Sequence, residues 1–116
     1  MPSLQKLFNV SISTELSPWT LVLCTSLTNI TIPDSVTSIG WGAFASCTSL
    51  TSIIIPDGIT CIESTIFEGC SNLATITIPD TVTSIEWRAF ENCSSLTSIT
   101  IPEKVTTIGN YAFFNC

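Results

Sequence analysis

From residue 27 onward, apolar and polar positions recur with a spacing of 23 residues. In Leu-Thr-Asn-Ile-Thr-Ile (27–32) the apolar residues alternate after the leucine, which is the period of a half-buried strand. Ile30 and Ile32 therefore point inward, and Asn29 and Thr31 outward. Pro33 ends the strand, because it has no N–H for a ladder. Pro-Asp-Ser and its counterpart Pro-Asp-Gly then suit a turn with Pro at its second position. A second apolar pair follows: Val36 with Ile39, Ile59 with Ile62, Val82 with Ile85, Val105 with Ile108. It predicts a second short extended segment on the opposite wall. The Ala-Phe-x-x-Cys stretch that closes the unit predicts a single helical or 3₁₀ turn, since residues three apart share a face.

The unit repeats four times, at 27–49, 50–72, 73–95 and 96–116, the last two residues short. Leu27, Leu50, Leu73 and Leu96 mark one column, and Phe44, Phe67, Phe90 and Phe113 another. Cys24, Cys47, Cys70, Cys93 and Cys116 mark a third. A fixed period of this length means a solenoid, in which each unit is one coil that cannot bury its apolar side alone. Residues 1–26 are expected to be a degenerate first repeat or N-terminal cap. Leu4, Leu7, Leu16, Leu21 and Cys24 keep core positions there, without the Pro and Phe. The whole forms one domain.

Composition narrows what the coil can do. The chain of 116 residues is 45% hydrophobic and only 10% charged, against about 25% charged in ordinary domains. Ser and Thr take up the difference on the surface. The net charge of -6, with three Lys and Arg in all, argues against nucleic acid and anionic membranes as partners. No apolar run reaches the ~18 residues of a membrane span. The N-terminus lacks a clean apolar stretch and a small-residue cleavage site, so no signal peptide is expected in this chain.

L-x-x-I-x-I-P-x-x-V-x-x-I-x-x-x-A-F-x-x-C resembles the BspA-like (treponemal-type) leucine-rich repeat, over residues 27–116 and weakly back to about residue 4. The main departure is Ile66 in place of Ala. The resemblance implies a mostly β, right-handed leucine-rich-repeat solenoid with a parallel sheet on its concave side. It also implies a cell-surface or secreted protein of adhesin type that binds a protein ligand, possible host or matrix proteins among them.

In such a coil the best candidate site is the concave row Asn29, Thr31, Ser52, Ile54, Thr75, Thr77, Ser98 and Thr100. Short hydroxyl and amide groups there can donate or accept, and they cost little side-chain entropy to immobilise. A water-ordering threonine array is an alternative, disfavoured by Ile54 and the Ser and Asn substitutions. Trp41, Trp87 and Tyr111 form a secondary aromatic patch, or else pack over the edge of the coil. The acids after the prolines, Asp34, Asp57, Asp80 and Glu103, read as turn chemistry; a calcium row lacks the Gly-Asp-rich signature.

The cysteine column reads as a ladder of buried reduced thiols, although neighbours one coil apart stand close enough to bridge. Cys61 stands apart from that column, and is expected either to face outward and react with oxidants or to be incidental. No C-x-x-C pair and no His supports a metal, and no cofactor motif is present. Without His, a phosphate loop or a paired nucleophile and base, no enzymatic activity is expected. The chain ends at Cys116 with no capping turn. That opens a second expectation: a structural segment that associates end to end as a homo-oligomer, or continues in a longer parent.

Overall fold

The computed structural model describes residues 15–116. The core positions expected at Leu4 and Leu7 lie outside the described residues. Among the described residues, eight short strands lie on two walls: β1 (Glu15–Leu16), β2 (Asn29–Thr31), β3 (Ser38–Ile39), β4 (Ser52–Ile54), β5 (Cys61–Ile62), β6 (Thr75–Thr77), β7 (Ser84–Ile85) and β8 (Thr107–Ile108). They form the parallel sheets β2-β4-β6, β1-β3 and β5-β7-β8. Every register is that of the sequence repeat. Asn29 faces Ser52, and Ser52 faces Thr75. Ser84 faces Thr107 in the same way, and Glu15 faces Ser38.

Residues 15–26 thus supply the second half of a coil that stacks in register on the next. The second wall divides between β3 and β5, where a depression of about 60 Å³ opens beside Ser38 and Cys61.

The core is a set of columns. One inner coil buries Leu50, Ile53, Ile55, Ile59, Ile62, Ile66, Phe67 and Cys70. Each large side chain removed from water contributes about 1.5–3 kcal/mol. The phenylalanines do line up. Ring centroids are 5.5 Å apart for Phe44–Phe67, 5.4 Å for Phe67–Phe90 and 5.3 Å for Phe90–Phe113, with planes within 16°. On the last coil the second-strand isoleucine column opens to solvent: Ile39, Ile62 and Ile85 are buried, but Ile108 is 52% exposed.

The segment between the second strand and the cysteine forms no helix among the described residues. The three-residue bonding of a 3₁₀ turn is present: the N–H groups of Ala43, Ala45 and Cys47 donate to the carbonyls of Gly40, Gly42 and Phe44. The residues between them bond along the stack instead. Gly42, Phe44 and Ser46 donate to Ser64, Ile66 and Glu68 of the next coil.

A left-handed residue at two places per coil enforces this alternation. One column is Trp19, Gly42, Thr65, Arg88 and Tyr111. The other is Leu23, Ser46, Gly69, Asn92 and Asn115, and φ runs from 56° to 76° across both. A left-handed residue breaks a right-handed helix after one turn. It also turns every second N–H towards the neighbouring coil. Eight of the ten are not glycine, although that conformation costs about 1–2 kcal/mol for a residue with a Cβ. Their strain is offset by the ladder they complete.

The first sheet also stops one coil early. Leu-Thr-Ser-Ile-Thr-Ile (96–101) carries the strand pattern, but β6 is the last strand, and no strand forms over Ser98–Thr100. A depression of about 500 Å³ lies there, lined by Asp80, Thr100, Ile101, Pro102, Glu103 and Lys104.

Candidate functional site

The hydroxyl groups have two fates. On the flanks of the strands they tie coils together. Thr51 Oγ1 donates to the carbonyl of Thr28 at 3.1 Å, and Thr83 and Thr106 donate to Thr60 and Thr83 at 3.3 and 3.4 Å. On the outward face of the first sheet they are unspent. Asn29, Thr31, Ser52, Thr75, Thr77, Ser98 and Thr100 are all exposed. Among the described residues none of these side chains engages another protein group.

The structure brings the residues of β2, β4 and β6 together as one face. Ser98 and Thr100 continue it in exposure but not in a strand. Ile54 stands in its middle, paired in register with Thr31 and Thr77, and is 69% exposed. A depression of about 320 Å³ runs beside it, lined by Asn29, Thr31, Asp34, Ser52, Ile54 and Pro56.

The aromatic residues sit on the turn wall, in two groups. Trp41 meets Trp19 edge to face at 5.4 Å. One coil beyond Ser64, the Arg88 guanidinium lies 4.3 Å over the Trp87 ring and 5.6 Å from that of Tyr111, which in turn meets Phe114 at 5.5 Å. Trp19, Arg88 and Phe114 were not singled out in the sequence. The available signal was spacing: Trp19, Arg88 and Tyr111 share one position of the 23-residue repeat, and the structure shows that position to be left-handed. Arg88 Nε is also 3.0 Å from Glu91 Oε2, an ion pair whose atoms are not aligned as a hydrogen bond.

All six cysteines are free thiols. Cys47, Cys70, Cys93 and Cys116 each donate Sγ–H to a carbonyl of the preceding coil: Leu21, Phe44, Phe67 and Phe90, at 3.1–3.2 Å. The same Phe44 carbonyl accepts Cys47 N–H, so both lone pairs are used. Burial pushes the Cys47 thiol up to about 11 and Cys70 up to about 12, and raises Cys93 further, with neighbouring thiols adding to the shift.

Cys61 corrects the sequence expectation. It is half-buried, accepts from Ser84 Oγ at 3.3 Å, and burial pushes its thiol up to about 11. Little of it is thiolate at neutral pH, so it is not an activated nucleophile. Among the described residues no group of three or more His, Cys, Asp or Glu is placed to hold a metal ion. No helix there is long and apolar enough to cross a membrane.

A stack of 23-residue coils, in parallel register and with an open polar sheet on one wall, defines a leucine-rich-repeat solenoid. The chain belongs to the BspA type leucine rich repeat family, whose profile matches residues 11–116 in six copies. It is similar to a solved leucine-rich repeat protein of Bacteroides ovatus, with 40% identity, a TM-score of 0.80, and 84% of this chain and 26% of that one covered. It is also similar to the Treponema pallidum leucine rich repeat protein: 36% identity, TM-score 0.85, 88% and 48% covered. A third solved relative is a leucine rich cell surface protein of Faecalibacterium prausnitzii, with 37% identity, TM-score 0.66, and 90% and 34% covered. The chain spans between about a quarter and a half of the length of these relatives. No curated protein matches it.

Proposed function

We propose that this chain is a non-enzymatic protein-binding module of a cell-surface or secreted protein of adhesin type. Its first sheet presents Asn29, Thr31, Ser52, Ile54, Thr75 and Thr77 to a protein ligand, with Ser98 and Thr100 extending the row. The observation that carries this is the division of labour among the hydroxyls. Those at the flanks are spent on holding coils together, whereas those on the sheet face are exposed and unengaged. Around them, Ile54 offers an apolar contact inside a polar rim, the anatomy of a protein interface. The surface setting is supported by one relative being a leucine rich cell surface protein.

The test is capture of purified extracellular-matrix glycoproteins by immobilised chain, wild type against Thr31→Arg with Thr77→Arg. Two long side chains in the middle of the face hold a partner off it without touching the core. The expected result is at least a tenfold loss of capture, about 1.4 kcal/mol. Capture that survives the double substitution rejects the sheet as the binding face.

A further inference from the structure

The sheet face is bordered by carboxyl groups. Asp34, Asp57, Asp80 and Glu103 each follow the proline of their repeat, and all four are exposed. Three of them front the same surface as the hydroxyls: Asp34 lines one depression with Asn29, Thr31 and Ile54, while Asp80 and Glu103 line the other with Thr100. Asp57 holds the same position of the repeat between Asp34 and Asp80. Little opposes their charge. Of the three basic residues, Lys6 lies outside the described residues. Arg88 is held on the turn wall by Glu91, Trp87 and Tyr111. Only Lys104 stands beside the row. Among the described residues none of the four carboxyl groups is in an ion pair. A face with unspent hydrogen-bonding groups, one apolar contact and an unneutralised acidic border is complementary to a ligand that brings cations of its own.

We propose that this face takes an extended, basic polypeptide segment lying along the stack, with its backbone on the hydroxyl row and its Lys or Arg side chains on the carboxyl border. The proposal rests on the sheet being the binding face and names the chemistry of what binds there. Spacing supports an extended segment. Coils are ~4.8 Å apart, so four carboxyls span ~14 Å. Side chains on one face of an extended chain recur every ~6.7 Å, so three of them span ~13 Å. A segment with cations at alternate positions therefore covers the border from end to end.

The probe is a fluorescein-labelled peptide of about twelve residues alternating Lys and Thr, long enough to cover the row. Its partner control alternates Glu and Thr, and both are titrated by fluorescence anisotropy. The Lys peptide should bind and the Glu peptide should not. Binding should weaken at least tenfold between about 0.01 M and about 0.15 M salt, as the Debye length falls from ~30 Å to ~8 Å.

Asp34→Asn with Asp57→Asn and Asp80→Asn should weaken it at least tenfold, since Asn keeps the turn chemistry after proline. Glu63→Gln with Glu68→Gln and Glu86→Gln changes the net charge equally, away from the border, and should alter binding less than about twofold. Circular dichroism and urea midpoints check that the coils persist in each variant. Equal losses from the two triple variants, or equal binding of the two peptides, overturn the proposal. So does Lys-peptide binding that survives Thr31→Arg with Thr77→Arg. If matrix-protein capture is lost with the two arginines yet untouched by the border triple, the sheet remains the binding face and the basic ligand is wrong.

Discussion

The first sheet of each coil and its turn wall, the segment between the second strand and the cysteine, solve the stacking problem in opposite ways. On the turn wall, phenylalanine rings, thiol-to-carbonyl bonds and alternating left-handed residues repeat from coil to coil, and the ladder reaches Phe114. On the sheet wall, three three-residue strands pair and then stop, and two of the three side chains of each strand face water. Cohesion is therefore concentrated on one wall. The other wall can change its outward residues without cost to the core, and that freedom is what a binding surface requires.

The sharpest way to break this comparison is to remove one phenylalanine. Phe67 is fully buried between Phe44 and Phe90. Phe67→Ala should lower stability by about 3–5 kcal/mol, measured by urea denaturation. A loss under about 1.5 kcal/mol would show that the turn wall does not dominate.

Next in size is the thiol column. Cys70→Ala removes buried volume and leaves the Phe44 carbonyl with one partner fewer, at a cost of about 1–3 kcal/mol. Cys70→Ser, which can still donate, should cost less than the alanine. If serine is as damaging as alanine, the sulfur acts by volume and not by its bond.

Gly42 tests the backbone of the same wall. Its φ of 66° lies in the left-handed region, and a methyl group there would stand 2.3 Å from Trp19 Cε3. Gly42→Ala should cost about 1–2 kcal/mol and shift the indole emission as Trp19 leaves Trp41. Unchanged emission would place the strain elsewhere.

The thiols also give this wall a pH signature. Folded Cys47 and Cys70 hold their protons to about 11 and about 12, against an ordinary value of 9.0. Above pH 9.0 the unfolded chain loses thiol protons that the folded chain keeps, so it binds fewer protons and stability falls as pH rises. The contribution is fully present below that value and is lost as pH climbs through the folded values. Tm should decline between pH 9.0 and about 11, and the slope should shrink in Cys47→Ser with Cys70→Ser. An identical slope in the double variant would assign the decline to other groups.

How much of this was legible follows the same division. The phenylalanine, cysteine and isoleucine columns were readable because burial demands the same residue type in every coil. The left-handed columns were not. They hold Trp, Gly, Thr, Arg and Tyr in one case and Leu, Ser, Gly, Asn and Asn in the other, because the inter-coil ladder imposes the backbone whatever the side chain. The contact of Arg88 with Trp87 and Tyr111 was hidden for a related reason. It depends on Arg88, the single arginine of the sequence, so no repeat pattern marks it. The outward sheet positions were legible as positions, from simple alternation. That β6 would be the last strand was not, since residues 96–101 carry the same letters as the paired coils.

The smallest expected effect sharpens the comparison most finely. Ile54 lies on β4 between Thr31 and Thr77, is 69% exposed, and lies outside the core that its neighbours Ile53 and Ile55 enter. Ile54→Thr keeps a β-branched residue on a strand and makes the row uniform. Its urea midpoint should match wild type within about 0.5 kcal/mol, the usual range for surface sites. The substitution also deletes the one apolar contact on the face. Capture of a protein ligand should therefore weaken several-fold while stability stays put, because an apolar anchor inside a polar rim carries a disproportionate share of interface energy. A variant that loses stability and keeps its ligand would reverse the assignment of the two walls.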